Sequence, residues 1–217
     1  MRFVFEQLRT GGDRNFAYLI GDRVARVAAL IDPSYDPAGA VERARAQSLT
    51  VRHIINTHSH PDHIEGNAEA QRLTGAKVAA YKCSPVAPDL ELDDNQELLL
   101  GSILLRFLHT PGHADDHLVI WLPQEKVAIT GDILFVGKVG GTKDDDHARI
   151  EHESLARLLR ELPDDTTIWP GHDYGARPSS TIGIERSTNP FLLARELDEF
   201  LELKRDWPRF KQALGLR

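Results

Sequence analysis

Three of the chain's ten histidines stand with an aspartate in the run Thr57-His58-Ser59-His60-Pro61-Asp62-His63, directly after the apolar stretch 51–55. In an extended or turning segment, side chains two residues apart point the same way, so His58 and His60 can converge on one ion. Asp62 and His63, at the start of a following helix, can face a second ion close by. Imidazole with carboxylate suits zinc, iron or manganese better than calcium. A structural zinc site would favour thiolates and a closed shell, but the chain holds one cysteine, Cys83, and no CxxC. An open, catalytic site is therefore expected.

Two ions need more donors than one loop provides. Three further segments supply them: Thr110-Pro111-Gly112-His113, Thr130-Gly131-Asp132 and Pro170-Gly171-His172. Each sets a histidine or aspartate beside a glycine at the end of an apolar run, the pattern a site on the rim of a sheet requires. His53, His109, His117, His147 and His152 lack that setting and are expected at surface, strand or helix-end positions without ligation. Cys83 reads as an inert loop or core thiol, and Asp144-Asp145-Asp146 as a solvated loop.

The elements that must position these residues follow from periodicity and turn signals. Short apolar runs at 2–8, 15–20 and 24–31, separated by Gly- and Asp-bearing turns, read as three strands with an antiparallel start. Pro37 opens a helix, residues 51–55 form a buried strand, and 64–73 read as one helix closed by Gly75. A strand at 77–81 precedes a loop over 82–97. Residues 98–108, 117–122 and 126–129 read as further strands. An amphipathic helix spans 150–162, a strand 166–169, and a helical tail 190–217 with a break before Pro208. Strands in two batches, each followed by helix, with no low-complexity linker, imply one domain over 1–217 with two packed sheets and helices outside.

The 217 residues suit one domain, and 41% hydrophobic with 27% charged residues excludes a disordered chain. A net charge of -7 argues against a nucleic-acid partner. No apolar run approaches a membrane span, and the opening MRFVFEQLRT lacks the core of a secretory signal. With a single cysteine, a reducing, cytoplasmic location is expected. The apolar stripe Phe191, Leu192, Leu193, Leu197, Phe200 and Leu201 is expected to cover the core; a second copy of the chain is the other candidate to cover it.

The order HxHxDH, PGH, TGD, PGH resembles the metallo-β-lactamase superfamily over roughly residues 15–190. The resemblance implies an αββα sandwich of two mixed β-sheets flanked by helices, with metals in a cleft at the sheets. It implies one metal on His58, His60 and His113, another on Asp62, His63 and His172, and Asp132 bridging both. Two divalent ions, zinc with iron or manganese as alternatives, are then the expected cofactors, and Asp62 and Asp132 the catalytic carboxylates.

Pro170-Gly171-His172-Asp173-Tyr174, the stretch 179–183, Glu185-Arg186-Ser187-Thr188-Asn189-Pro190 and Gly131-Asp132-Ile133-Leu134-Phe135 are similar to the glyoxalase II and persulfide dioxygenase branch. Glutathione-binding members carry Gly-Cys-Gly-Arg where this chain has Lys138-Val139-Gly140-Gly141-Thr142, so Gly141 replaces the arginine. The stretch beyond 190 is also short for glyoxalase II's helical domain. Lys138, Thr142, Tyr174 and Arg177 are the candidates for touching a small-molecule substrate. The resemblance implies a thioester hydrolase using a bridging hydroxide, or instead a mononuclear Fe(II) persulfide dioxygenase on His58, His113 and Asp132. A non-catalytic binding relative is a third reading, which the retention of all seven ligand-type residues disfavours.

Overall fold

The computed structural model describes residues 2–213, so residues 214–217 of the expected tail lie outside the described residues. The chain begins with the hairpin of β1 (Phe3–Gly11) and β2 (Asn15–Asp22) and continues through β3 (Val27–Ile31) and α1 (Pro37–Ala46). Next come β4 (Thr50–Ile55), α2 (Pro61–Ile64), α3 (Asn67–Thr74), β5 (Lys77–Tyr81) and β6 (Leu90–Leu92). These six strands form one sheet in chain order, with β1, β2 and β3 antiparallel and β3 to β6 parallel.

The second sheet takes β7 (Glu97–Leu100), β8 (Ile103–His109), β9 (Leu118–Leu122), β10 (Val127–Gly131), β13 (Thr167–Pro170) and β14 (Ser180–Thr181). Only β10 and β13 run parallel in it, because α4 (Asp145–Glu161) supplies the crossover between them. A small ribbon of β11 (Leu134–Phe135) and β12 (Lys138–Val139) leaves the end of β10. Helices α5 (Ile182–Thr188), α6 (Pro190–Leu193) and α7 (Leu197–Ala213) complete the chain.

Both sheets are mixed and flanked by helices, as the αββα reading anticipated, and the burial pattern shows why. Every residue of β2 is buried, which a strand covered on both faces requires. Phe16, Tyr18 and Ile20 point inward onto Leu105, Phe107, Leu118 and Ile120 of the opposite sheet. Leu19, Leu30 and Ile54 face outward onto Ala40, Val41 and Ala44 of α1 and Ala70 of α3. On the other outer face, Leu108, Val119, Ala128 and Ile168 pack beneath Leu155, Leu158, Phe191, Phe200 and Leu201. Fully burying one such Leu, Ile or Phe is worth about 1.5–3 kcal/mol, so the layers are mutually dependent. Of the apolar stripe of the C-terminal segment, Phe191, Leu192, Leu197, Phe200 and Leu201 lie on this chain's own core, whereas Leu193 is exposed.

Several local expectations are corrected. The helix expected over 64–73 is two pieces: α2 ends at Ile64 and α3 starts at Asn67, with Gly66 between them against the Pro33 carbonyl, where no Cβ would fit. The loop 82–97 contains β6, which pairs with β5 through Ala79–Leu90. Residues 98–108 fold as a hairpin with its turn at Gly101-Ser102. Asp144 is no loose loop residue: its side chain accepts the His147 N–H and caps α4, whose first turn holds Asp145 and Asp146. The tail breaks at 194–196, and α7 continues through Pro208. A proline inside a helix costs about 3 kcal/mol, which the docking of Phe200, Leu201 and Trp207 on the core offsets. Among the described residues no helix is long and apolar enough to cross a membrane.

A buried aspartate staples the sheets at the end remote from the histidines. Asp22 accepts the N–H groups of Val24 at 2.8 Å, Ala25 at 3.1 Å and Ser102 at 2.9 Å, and the Ser102 hydroxyl. Those donors, that hydroxyl first, hold its carboxyl below the ordinary carboxylate range. A depressed carboxylate stabilises fully above its unfolded pKa of about 3.8 and loses that stabilisation as pH falls through the lower folded value. Asp22→Ala should lower unfolding stability by about 2–3 kcal/mol at neutral pH. The deficit measured by urea titration should shrink below pH 3, and a deficit independent of pH would refute the ionic account.

Candidate metal centre

The donors lie where strands end. His58 follows β4 by three residues, Asp132 directly follows β10, and His172 follows β13 by two. His113 sits in the loop between β8 and β9, and Asp62 and His63 occupy the single turn of α2. Two glycines make the approach geometrically available. Gly112, before His113, has φ +132°, and Gly131, before Asp132, has φ +48° with His117 Nε2 2.7 Å from where its Cβ would be.

The side chains converge. Ligand atoms of His58, His60 and His113 lie within 4.8 Å of one another, as do those of Asp62, His63 and His172, and those of His58, His63 and Asp132. Asp132 is the common neighbour: His172 Nε2 is 3.2 Å and His113 Nε2 3.6 Å from its Oδ2, while His63 Nε2 is 3.6 Å from its Oδ1.

Hydrogen-bond partners fix which ring nitrogens face inward. Backbone carbonyls only accept, so His113 Nδ1 donates to Gly141 O at 2.7 Å and His172 Nδ1 to Asp13 O at 2.9 Å. His63 Nδ1 donates to the Asp32 carboxylate at 3.0 Å. The Thr57 hydroxyl spends its proton on Asp32 at 2.6 Å, so at 3.0 Å it accepts from His58 Nδ1. In the neutral rings every one of these Nε2 atoms then presents a lone pair to the centre. His58 Nε2 and His113 Nε2 each come within 3.0 Å of His60 Nδ1, and His63 Nε2 within 3.3 Å of His172 Nε2. Asp132 Oδ1 is buried and accepts no hydrogen bond. Lone pairs gathered this closely, with His58, His63, His113 and His172 braced from behind, are the donor set a divalent transition metal takes.

Electrostatics agree. Burial alone would raise Asp132, but His63 and His172 hold its carboxyl well below the ordinary range. Burial opposes protonation of His63, yet Asp132 and Asp32 outweigh it and lift His63 well above the usual imidazole value. His172 is raised for the same reason, against its burial. Burial keeps His58 and His113 low. The cavity thus favours positive charge at its centre.

Of the substrate candidates, Lys138 and Tyr174 stand at this centre. Tyr174 stacks on His172 at 4.6 Å and donates to Asp13 Oδ2 at 2.6 Å, and Lys138 Nζ lies 4.0 Å from the centre of its ring. Thr142 lines an adjoining cavity of about 420 Å³ with Gly141, Lys143 and Lys204. Arg177 is not brought there; it donates to Ser180 Oγ at 2.9 Å, on β14.

Sequence reasoning missed the residues behind the donors. Asp32 serves Thr57 and His63 together; in the sequence it is only an aspartate after an apolar run, and the parallel pairing of that run with β4 gives it its role. Asn15 donates to Asp62 Oδ2 at 3.0 Å, and Asp116 accepts from Ser84 Oγ at 2.6 Å and from the Ser59 N–H. His117, expected at a bland position, is fully buried. It accepts the Asp132 N–H through Nε2 at 3.1 Å and faces Thr110 Oγ1 through Nδ1 at 2.9 Å, orienting a donor without being one. Cys83 is exposed.

The profile described as the metallo-beta-lactamase superfamily matches residues 10–83 and 80–172. The chain belongs to the metallo-beta-lactamase superfamily. Within this superfamily it is 32% identical over 218 residues to a hydroxyacylglutathione hydrolase of Methylobacterium sp. (strain 4-46), covering 84% of each chain. It is 31% identical over 191 residues to the human mitochondrial persulfide dioxygenase ETHE1, covering 87% of this chain and 75% of that one. The crystal structure of ETHE1 from Myxococcus xanthus superposes with a TM-score of 0.87 at 31% identity, over 94% of this chain and 91% of that one. The Methylobacterium and human relatives are thus a hydrolase and a dioxygenase.

Asp32→Ala should weaken metal binding about 10- to 100-fold, because His63 loses the partner that sets its tautomer and Thr57 loses its acceptor. Competition with a chelating dye would measure it, and an unchanged affinity would show that Asp32 does not brace the centre.

Proposed function

We propose that the chain is a metal-dependent hydrolase of a thioester, with His58, His60 and His113 holding one divalent ion and Asp62, His63 and His172 a second. One observation carries the reading: both triads are complete, and the ionised Asp132 faces both. Ions held there, zinc foremost with iron or manganese as alternatives, would supply Lewis acidity and lower the pKa of water towards neutrality. Asp132 is the group able to accept a hydrogen bond at the point where the triads meet, since its Oδ1 is otherwise unengaged. His117 holds its main chain in place, so that the carboxylate need not reorganise during reaction.

Asp62 is a third exposed and tethered through Oδ2 by Asn15, so it is the carboxylate at the open side, where substrate enters. Lys138 and Tyr174, beside His172, would contact the acyl or thiol portion of a small molecule. With Gly141 in place of the arginine of glutathione-binding relatives, Lys138 of β12, whose Nζ lies 4.0 Å from the centre of the Tyr174 ring, would receive an anionic group. A second reading, an Fe(II) persulfide dioxygenase on His58, His113 and Asp132, is supported by the fit of nearly the whole chain to the ETHE1 structure.

Metal analysis of protein purified anaerobically without chelator should give about two ions per chain, with hydrolysis of S-acyl thiols that chelation abolishes and added metal restores. Asp132→Ala should lose at least about 10³-fold in kcat/KM together with bound metal. About one iron per chain with oxygen consumption on persulfides would overturn the hydrolase in favour of the dioxygenase.

A further inference from the structure

Behind His113 lies a buried ion pair that the chemistry proposed above does not use. Glu151 of α4 is fully buried, and Lys204 of α7 exposes 10% of its side chain. Lys204 Nζ donates to Glu151 Oε2 at 2.5 Å and to the Gly140 carbonyl at 2.6 Å, while Glu151 Oε1 accepts nothing. Burial pushes the Glu151 carboxyl up to about 7 and draws Lys204 down. A pair desolvated at that cost is a poor device for stability, since apolar residues of like volume serve as well or better. Its place in the fold suggests another use.

The loop that Lys204 holds is pressed against the metal centre. Gly140 has so little clearance that a Cβ there would stand 2.1 Å from Asp132 O and 2.8 Å from His113 Nδ1. The next residue, Gly141, supplies the carbonyl that takes the His113 Nδ1 proton. On the other side of the same histidine, Gly112 lies against the Glu151 backbone, with 2.5 Å from its notional Cβ to Glu151 Cα. Ser154 Oγ, one helical turn on, donates to Pro111 O at 2.7 Å. His113 is thus gripped from both sides by segments that Glu151 and Lys204 join.

We propose that Lys204 is a positioning residue for His113: through its bonds to Glu151 and Gly140 it fixes the Gly140-Gly141 loop, and so sets the tautomer and direction of one ligand in the three-histidine site. On this account the C-terminal helix acts on the metal centre through this one side chain and not through its apolar packing. The proposal rests on the ligand assignment made under the proposed function.

The test compares the wild type with Lys204→Met, with the double variant Glu151→Leu/Lys204→Met, and with Leu201→Ala. The last loosens the same helix without touching the loop. Thermal melting reports the fold, zinc titration against a chelating dye reports the affinity of each ion, and proton NMR follows exchange of the His113 ring N–H. Lys204→Met and the double variant should each bind one zinc about 10- to 100-fold more weakly, keep the affinity of the other, and exchange that ring proton faster. The double variant leaves no lone buried charge and should melt near the wild type, so it carries the test where the single variant folds poorly. Leu201→Ala should melt lower with both zinc affinities intact. Wild-type zinc affinities and His113 exchange in the double variant would overturn the proposal, as would an equal weakening of zinc in Leu201→Ala. A wild type that binds no zinc, iron or manganese would instead overturn the ligand assignment beneath it.

Discussion

Lone pairs of neutral imidazoles repel one another, and a carboxylate oxygen without a hydrogen bond is costly to bury. The structure nevertheless sets Nε2 of His58, His63, His113 and His172 toward a common centre with Asp132 among them. The arrangement holds because each ring is committed on its far side to an acceptor: Thr57, Asp32, Gly141 and Asp13. Two of those acceptors, Thr57 and Asp32, are positioned by the first sheet. Asp32 directly follows β3, next to β4, so the register of one parallel strand pair fixes the Thr57 and His63 contacts at once. The inward lone pairs therefore depend on strand register as much as on the donor residues themselves.

This dependence explains what could be read from the sequence. Histidine and aspartate beside glycine at strand ends are chemically uncommon enough to announce themselves, and His58, His60, Asp62, His63, His113, Asp132 and His172 do come together. The sandwich followed because strand runs came in two batches, each with helix after it. The braces were not legible. Nothing local distinguishes Asp32 from a turn aspartate, or His117 from a strand-end histidine, until β3 meets β4 and the turn before β9 meets Gly131. Asp144 shows the converse case: its capping role is local, but three consecutive acids read as a loop before the helix start was placed.

Boundaries failed where tertiary contact overrode propensity. α3 starts only after Gly66, which is packed against the Pro33 carbonyl, a contact that the periodicity of 64–73 does not reveal. The tail runs on through Pro208 because Phe200, Leu201 and Trp207 are already anchored on the second sheet's outer face. In both places the sequence carries the correct element type and the packing moves its ends.

One feature of the topology reaches beyond the chemistry. Each triad takes donors from both sheets: His58 and His60 from the loop after β4 meet His113 from the second sheet, and Asp62 and His63 meet His172. Neither half of the sandwich can assemble a triad alone. Ions bound in both would act as a pair of rivets through one seam. A single rivet lets two plates swivel, whereas two side by side forbid both sliding and rotation. At this rim the binding of metal and the docking of the sheets would then be one event, with the Asp22 staple closing the opposite end of the same seam.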